Sequence, residues 1–228
     1  ADGDSDCIGD VCDDCHNSPG DVNSDFNIDI LDIVSVVNII LSGGINSPDF
    51  NDCEKTNADL NNDEIINILD IISVINILLG NARAADLNSS ANIDFLPFGD
   101  DMIVQVESSV NIAGVELVFQ SDYPMDVTLK DNSHIEQKFN YGDGINHFLA
   151  YSLFNQVFDS HTAEFIISGG SDLNYEEVHL IIGDSNGEAM EISKSLSGEL
   201  MQNGLFTFAL TDVYPNPFNP ITTLRYDL

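Results

Sequence analysis

Two twelve-residue loops, Asp21–Asp32 and Asp59–Asp70, place oxygen-bearing side chains at the same steps, 38 residues apart. Positions 1, 3, 5, 9 and 12 of the first are Asp21, Asn23, Asp25, Asp29 and Asp32; those of the second are Asp59, Asn61, Asp63, Asn67 and Asp70. Calcium is a hard cation that takes about 6–8 oxygen ligands, and a short loop with donors at this spacing wraps around one ion. Position 7, Asn27 or Ile65, need supply only its backbone carbonyl. Position 8 is Ile28 or Ile66, an apolar residue able to turn inward and pair the loops. Position 12 opens a helix, whose positive end favours a carboxylate.

The elements that must hold these loops are duplicated as well. Ile33-Val34-Ser35-Val36-Val37-Asn38-Ile39-Ile40-Leu41 matches Ile71-Ile72-Ser73-Val74-Ile75-Asn76-Ile77-Leu78-Leu79. Internal repetition of this kind defines a unit used twice. Each helix carries a narrow polar stripe, Asp32, Ser35 and Asn38 in one and Asp70, Ser73 and Asn76 in the other; the rest is apolar. A helix apolar nearly all round is buried on most sides. Two short helices cannot cover each other completely, so a further surface is required.

The pair resembles a dockerin, the duplicated calcium module that docks onto cohesin domains. The resemblance spans about residues 20–81, and Asp at loop position 12 is a dockerin habit where an ordinary EF-hand has Glu. It implies two calcium ions, one held through the side chains of Asp21, Asn23, Asp25, Asp29 and Asp32, the other through those of Asp59, Asn61, Asp63, Asn67 and Asp70. The chain departs from the pattern at position 6, usually Gly for a sharp turn but here Phe26 and Glu64. In dockerins, loop positions 10 and 11 contribute to partner recognition. Here they are Ile30-Leu31 and Ile68-Leu69, either core residues or an apolar docking face offered by each repeat.

Composition suits an extracellular calcium protein. The chain has 39 Asp plus Glu against 6 Lys plus Arg, a net charge of −33. That charge repels nucleic acid and anionic membranes. A hydrophobic fraction of 43% argues for packed cores rather than disorder. No apolar run approaches the ~20 residues of a membrane helix, and no signal peptide is visible, so Ala1 is expected to be a mature N-terminus.

The first twenty residues form a further acidic patch. Asp2, Asp4, Asp6, Asp10 and Asp13 resemble part of a thrombospondin type-3 repeat, which implies extra calcium ligands; a flexible acidic leader is the other reading. Cys7, Cys12, Cys15 and Cys53 allow three disulfide connectivities. Cys7–Cys12 with Cys15–Cys53 is the expected pairing, and a zinc site of Cys7, Cys12, Cys15 and His16 or Cys53 is the alternative. Cys53 lies in a connector containing Gly, Asn and Pro. Ala82–Ala91 reads as a linker, with Asn88-Ser89-Ser90 a possible glycan acceptor.

From about residue 92 the apolar period changes to two. Strands are expected at 102–106, 114–119, 126–130, 134–141, 147–154, 163–167, 178–182 and 189–192. Many short strands with regular turns suggest an antiparallel, Ig-like β-sandwich. Val110-Asn111-Ile112-Ala113-Gly114-Val115-Glu116-Leu117 and the late Glu177-Val178-His179-Leu180-Ile181-Ile182 resemble a cohesin. The expected fold class is therefore α+β and multidomain. A leader (1–20), a dockerin-like domain (21–81) and the linker (82–91) precede a cohesin-like sandwich (92–212).

The last segment, 213–228, opens with Tyr214-Pro215-Asn216-Pro217-Phe218-Asn219-Pro220 and resembles the start of a type IX secretion sorting domain. Thr222, Thr223, Leu224, Arg225 and Tyr226 are expected to form a lone strand able to add to a neighbour's sheet edge. The histidines are scattered outside any hydrolase motif, and no enzyme activity is expected. The expectation is a secreted or cell-surface calcium-binding structural protein. It self-associates head to tail into a fibre or biofilm matrix through dockerin-like and cohesin-like docking. An adaptor for other proteins and a non-catalytic part of a secreted enzyme are the alternatives, and docking within one chain is also open.

Overall fold

The computed structural model describes residues 18–80, 89–130, 134–153, 158, 161–197, 210–214 and 223–226. The chain divides into two compact units, Ala1–Ser195 and Leu196–Leu228. Both the helical repeats and the sandwich fall in the first.

Three helices form the N-terminal part: α1 (Ile30–Leu41), α2 (Asp52–Ala58) and α3 (Ile68–Leu79). Asp29 and Asn67 cap α1 and α3, and each cap is answered by the acid three residues on, Asp32 or Asp70. Such reciprocal capping satisfies backbone N–H groups that a helix start leaves open. Gly80 ends α3 in the left-handed region, φ 65°. The helix α2 was not expected, because its residues lie in a connector read from Gly, Asn and Pro. Its Asn51–Glu54 capping box is the local reason it forms.

Two antiparallel sheets follow. One has the order β4 (Val127–Leu129), β7 (Thr162–Ile167), β2 (Asp101–Ser108), β1 (Ser90–Phe98), β9 (Glu191–Leu196). The other runs β5 (Glu136–Gly142), β6 (Ile145–Tyr151), β3 (Ile112–Gln120), β8 (His179–Asp184). Alternating residues meet between them: Ile93 and Phe95, Val104 and Val106, Val115 and Leu117, Phe148 and Phe165 are all buried. Phe148 and Phe165 pack edge to face with ring centroids 5.9 Å apart. The α+β class with an antiparallel sandwich is as expected. Strand β1 begins at Ser90, inside the segment read as linker.

The second sheet departs from simple alternation. All but Val118 and Gln120 in β3 are buried, so both of its faces are covered. The face turned away from the sandwich interior carries Gly114 and Glu116 on β3, His147, Leu149 and Tyr151 on β6, and Ile181 and Gly183 on β8. Ala113, Leu149 and Tyr151 share one apolar cluster with the cores of α1 and α3. The sandwich itself is the surface the helices required.

In the second unit, β10 (Leu210–Tyr214) pairs antiparallel with β11 (Thr223–Tyr226). The expectation of a lone strand is corrected: Thr223, Leu224, Arg225 and Tyr226 already have a partner within the chain. Thr222, Asn88 and the acidic leader with Asp2, Asp4, Asp6, Asp10 and Asp13 lie outside the described residues. So do Cys7, Cys12 and Cys15. Cys53 is disulfide-bonded, which removes it as a zinc ligand.

Candidate functional site

The two loops fold alike, as their sequences demand. In the first, Asp21 accepts the N–H groups of Asp25 and Phe26 at 3.0 and 2.9 Å, Asn23 Oδ1 accepts that of Asp25, and Asp25 Oδ1 that of Asn27. In the second, Asp59 accepts from Asp63 and Glu64 at 3.2 and 3.0 Å, Asn61 Oδ1 from Asp63, and Asp63 Oδ1 from Ile65. Position 12 closes each loop: Asp32 Oδ1 accepts Val22 N–H at 2.8 Å and Asp70 Oδ1 accepts Leu60 N–H at 2.9 Å.

Phe26 and Glu64 stand where Gly was expected, and both take the left-handed conformation, φ 71° and 66°. Ser24 and Asn62, two steps earlier, do the same at φ 57°. A side chain there costs of order 1–3 kcal/mol. The loop keeps the turn and carries the strain.

The donor set fits a hard cation. Asp32 and Asp70 are wholly buried. Burial, with the charges of Asp59 and Asp63 adding to it, pushes the Asp70 carboxyl up from 3.8 to about 7. A buried carboxyl faced by two further acids is a place that a cation would relieve. Among the described residues, no group of three or more His, Cys, Asp or Glu is set as a preformed metal cluster. The amides Asn23, Asn61 and Asn67 and the carbonyls of Asn27 and Ile65 would have to complete coordination with the carboxylates.

Sequence reasoning missed Asn57. This buried α2 residue donates from Nδ2 to Asp21 O at 2.8 Å and accepts Ser18 N–H at Oδ1, 3.1 Å. It fixes the entry to the first loop.

The side of α3 that packs on the sheet is the second part of the site. Ile68, Leu69 and Ile72 are 0, 6 and 1% exposed. They lie over two glycines paired across β3 and β8, Gly114 and Gly183. A Cβ on Gly114 would stand 2.7 Å from Ile68 Cγ1, and one on Gly183 would stand 2.4 Å from Ile72 Cδ1 and 3.0 Å from Leu69 Cδ2. Only glycine allows this approach.

Polar contacts set the register. Ile68 N–H donates to Glu116 Oε2 at 2.9 Å, and Asn76 Nδ2 donates to Ser185 O at 3.1 Å. Glu116 Oε1 also pairs with His147 Nε2 at 2.8 Å. A carboxylate at the first turn of a helix meets the positive end of its dipole. Nearby, α1 also meets the same sheet, Asn140 Nδ2 donating to Leu41 O at 2.8 Å.

Of the expected docking residues, then, Ile68 and Leu69 are seated on the sheet, whereas Ile30 and Leu31 are 53 and 55% exposed and Val34 is 49% exposed. Glu116 was legible as an acid inside an apolar strand, but its role was not. Glu116→Ala is expected to destabilise the folded chain by about 2 kcal/mol, the scale of a hydrogen bond to a charged group. Urea unfolding in calcium measures this; an unchanged midpoint would show that Ile68 N–H finds water instead.

The family model for the dockerin type I domain matches residues 19–79. That segment contains both loops and all three helices. Dockerin type I domains bind calcium and dock onto cohesin partners. Two solved structures are similar to the chain. One is a non-cellulosomal cohesin from the hyperthermophilic archaeon Archaeoglobus fulgidus, 12% identical over 48% of this chain and 86% of that one, TM-score 0.30. The other is the chitin-binding domain of a hyperthermophilic chitinase from Pyrococcus furiosus, 18% identical over 48% and 98%, TM-score 0.26. No curated protein matches the chain.

Proposed function

We propose that this chain is a secreted, non-catalytic structural protein that holds two calcium ions and carries both halves of one docking interface. The observation that carries the reading is the seating of α3 on Gly114, Glu116 and Gly183 of the same chain. A contact made within one copy can also be made between copies, with no new chemistry, when the connecting segment is exchanged. Repeated head to tail, such a contact does not close and builds an open fibre. The net charge of −33 keeps free copies apart until calcium lowers it.

The test is sedimentation velocity of the full chain, beside a form shortened by about six residues between Leu79 and Ser90. Shortened hinges favour exchange between copies. The shortened form is expected to assemble in calcium and dissolve on chelation. If both forms run as single monomer boundaries under all conditions, assembly by exchange is wrong.

A second reading, the adaptor, is favoured by the half-exposed Ile30, Leu31 and Val34. They occupy on α1 the positions that Ile68, Leu69 and Ile72 occupy on α3. A closed copy thus still offers one docking face to a sheet on another protein.

A further inference from the structure

The helices α1 and α3 present almost the same face, yet the sheet takes α3. Of the α3 residues at the contact, Ile68, Leu69, Ser73 and Asn76 have identical counterparts in Ile30, Leu31, Ser35 and Asn38. Two positions differ: Asn67 against Asp29, and Ile72 against Val34. Both lie where the sheet has chemistry to distinguish them.

Asn67 Oδ1 accepts Leu69 N–H at 2.8 Å, and the preceding N–H, that of Ile68, is taken by Glu116 Oε2 at 2.9 Å. A neutral amide and a buried carboxylate therefore share one helix start. Asp29 makes the same cap, accepting Leu31 N–H at 2.7 Å. Docked in the same way, α1 would set two carboxylates on consecutive N–H groups. Away from water, like charges at that range repel strongly. Calcium in the loop screens both repeats, and the difference of one charge remains.

Ile72 supplies the second distinction. Its Cδ1 fills the space over the paired glycines, 3.1 Å from a Cβ built on Gly114 and 2.4 Å from one on Gly183. Valine lacks that terminal methyl, and a buried Ile-to-Val truncation shifts an equilibrium roughly two- to tenfold.

We propose that Asn67 and Ile72 are the specificity-determining residues that assign the second repeat to the chain's own sheet, while Asp29 and Val34 reserve the first repeat for a different one. The partner sheet for α1 carries a neutral or basic side chain where this sheet carries Glu116, and a bulkier residue where it carries Gly183. This rests on the docking reading above, in its adaptor form.

The test exchanges the two positions in the full chain. A benzophenone amino acid replaces Ser185, whose carbonyl receives the Asn76 amide, and photo-crosslinks in calcium are mapped to the peptides of α1 or α3. The parent chain is expected to crosslink through α3. The exchanged chain, Asp29→Asn, Val34→Ile, Asn67→Asp and Ile72→Val, is expected to crosslink through α1. Each change installs a residue the other repeat already uses, so both loops keep a donor at position 9. A milder variant, Asp29→Asn with Val34→Ile, leaves α3 intact and is expected to divide the crosslinks about equally between the helices.

Retention of α3 in the exchanged chain, or exclusive α3 crosslinks in the milder variant, overturns the assignment and makes tethering the selector. Loss of all crosslinks in the exchanged chain with helical content preserved also overturns it. Absence of crosslinks to either helix in the parent chain is a different failure, that of the docking reading itself.

Discussion

Replacing Gly183 with phenylalanine is expected to lift α3 off the sandwich and leave both parts folded. The helix lies so low over β8 that even a Cβ at this position would stand 2.4 Å from Ile72 Cδ1 and 3.0 Å from Leu69 Cδ2. Overpacking a closed site costs typically 1–3 kcal/mol for a few added methylenes, and a whole ring exceeds what these buried neighbours can yield. The cheaper response is separation. Phenylalanine suits a strand, and the interior face of the sheet, with Val115, Leu117 and Ile182, is not touched. Unfolding should then occur in two transitions instead of one, with faster hydrogen exchange over Ile68–Asn76. The radius of gyration from solution scattering should rise. If exchange and radius match the parent chain, the helix is held by something other than the glycine-lined contact. The corresponding change on α1, Leu31→Asp, should leave all three readouts unchanged, because Leu31 is 55% exposed.

The parts legible in the sequence were those written in local period and spacing. The two loops declare themselves through donors at fixed steps, and α1 and α3 through matched apolar runs. Eight strands were visible as alternation or short apolar runs. Others were hidden for physical reasons. Strand β1 alternates at Ala91, Ile93 and Phe95, all buried, but Pro97 and the Gly99-Asp100 turn obscure its end. Helix α2 is only seven residues long, and its own capping box is its main signal. The two-sided burial of β3 explains the oddest stretch, Ala113-Gly114-Val115-Glu116, where small residues and an acid replace the polar half of an alternating strand. Read alone, that stretch is a weak strand. It makes sense only beside a helix that needs space and a partner for its first N–H, and that pairing joins residues 48 apart, Ile68 and Glu116. The same long-range contact buries Ile68-Leu69 against the sheet while Ile30-Leu31 is left exposed, which the near-identical repeats could not reveal.

Chelating calcium at pH 8 is expected to cost the helical module more stability than any single substitution outside the loops, and lowering the pH is expected to restore part of it. Asp70 is wholly buried and faces Asp59 and Asp63, and its folded pKa of about 7 stands above the ordinary 3.8. Between about pH 4 and pH 7 the calcium-free folded chain keeps a proton that the unfolded chain has released. Stability without calcium therefore falls as pH rises through that window and stays low above it, the reverse of a salt-bridged carboxylate. The effect of one such group is roughly a few kcal/mol. With calcium bound, a cation takes the place of the proton and the slope should flatten. Thermal melts at pH 5 and pH 8, with calcium and with chelator, give the comparison. Asp70→Asn should remove the calcium-free slope attributable to this site and weaken the response to calcium. Asp32 sits at the matching step of the first loop, so Asp32→Asn should weaken the calcium response while leaving the Asp70 slope in place. A calcium-free slope that Asp70→Asn leaves unchanged would contradict the assignment of that slope to Asp70.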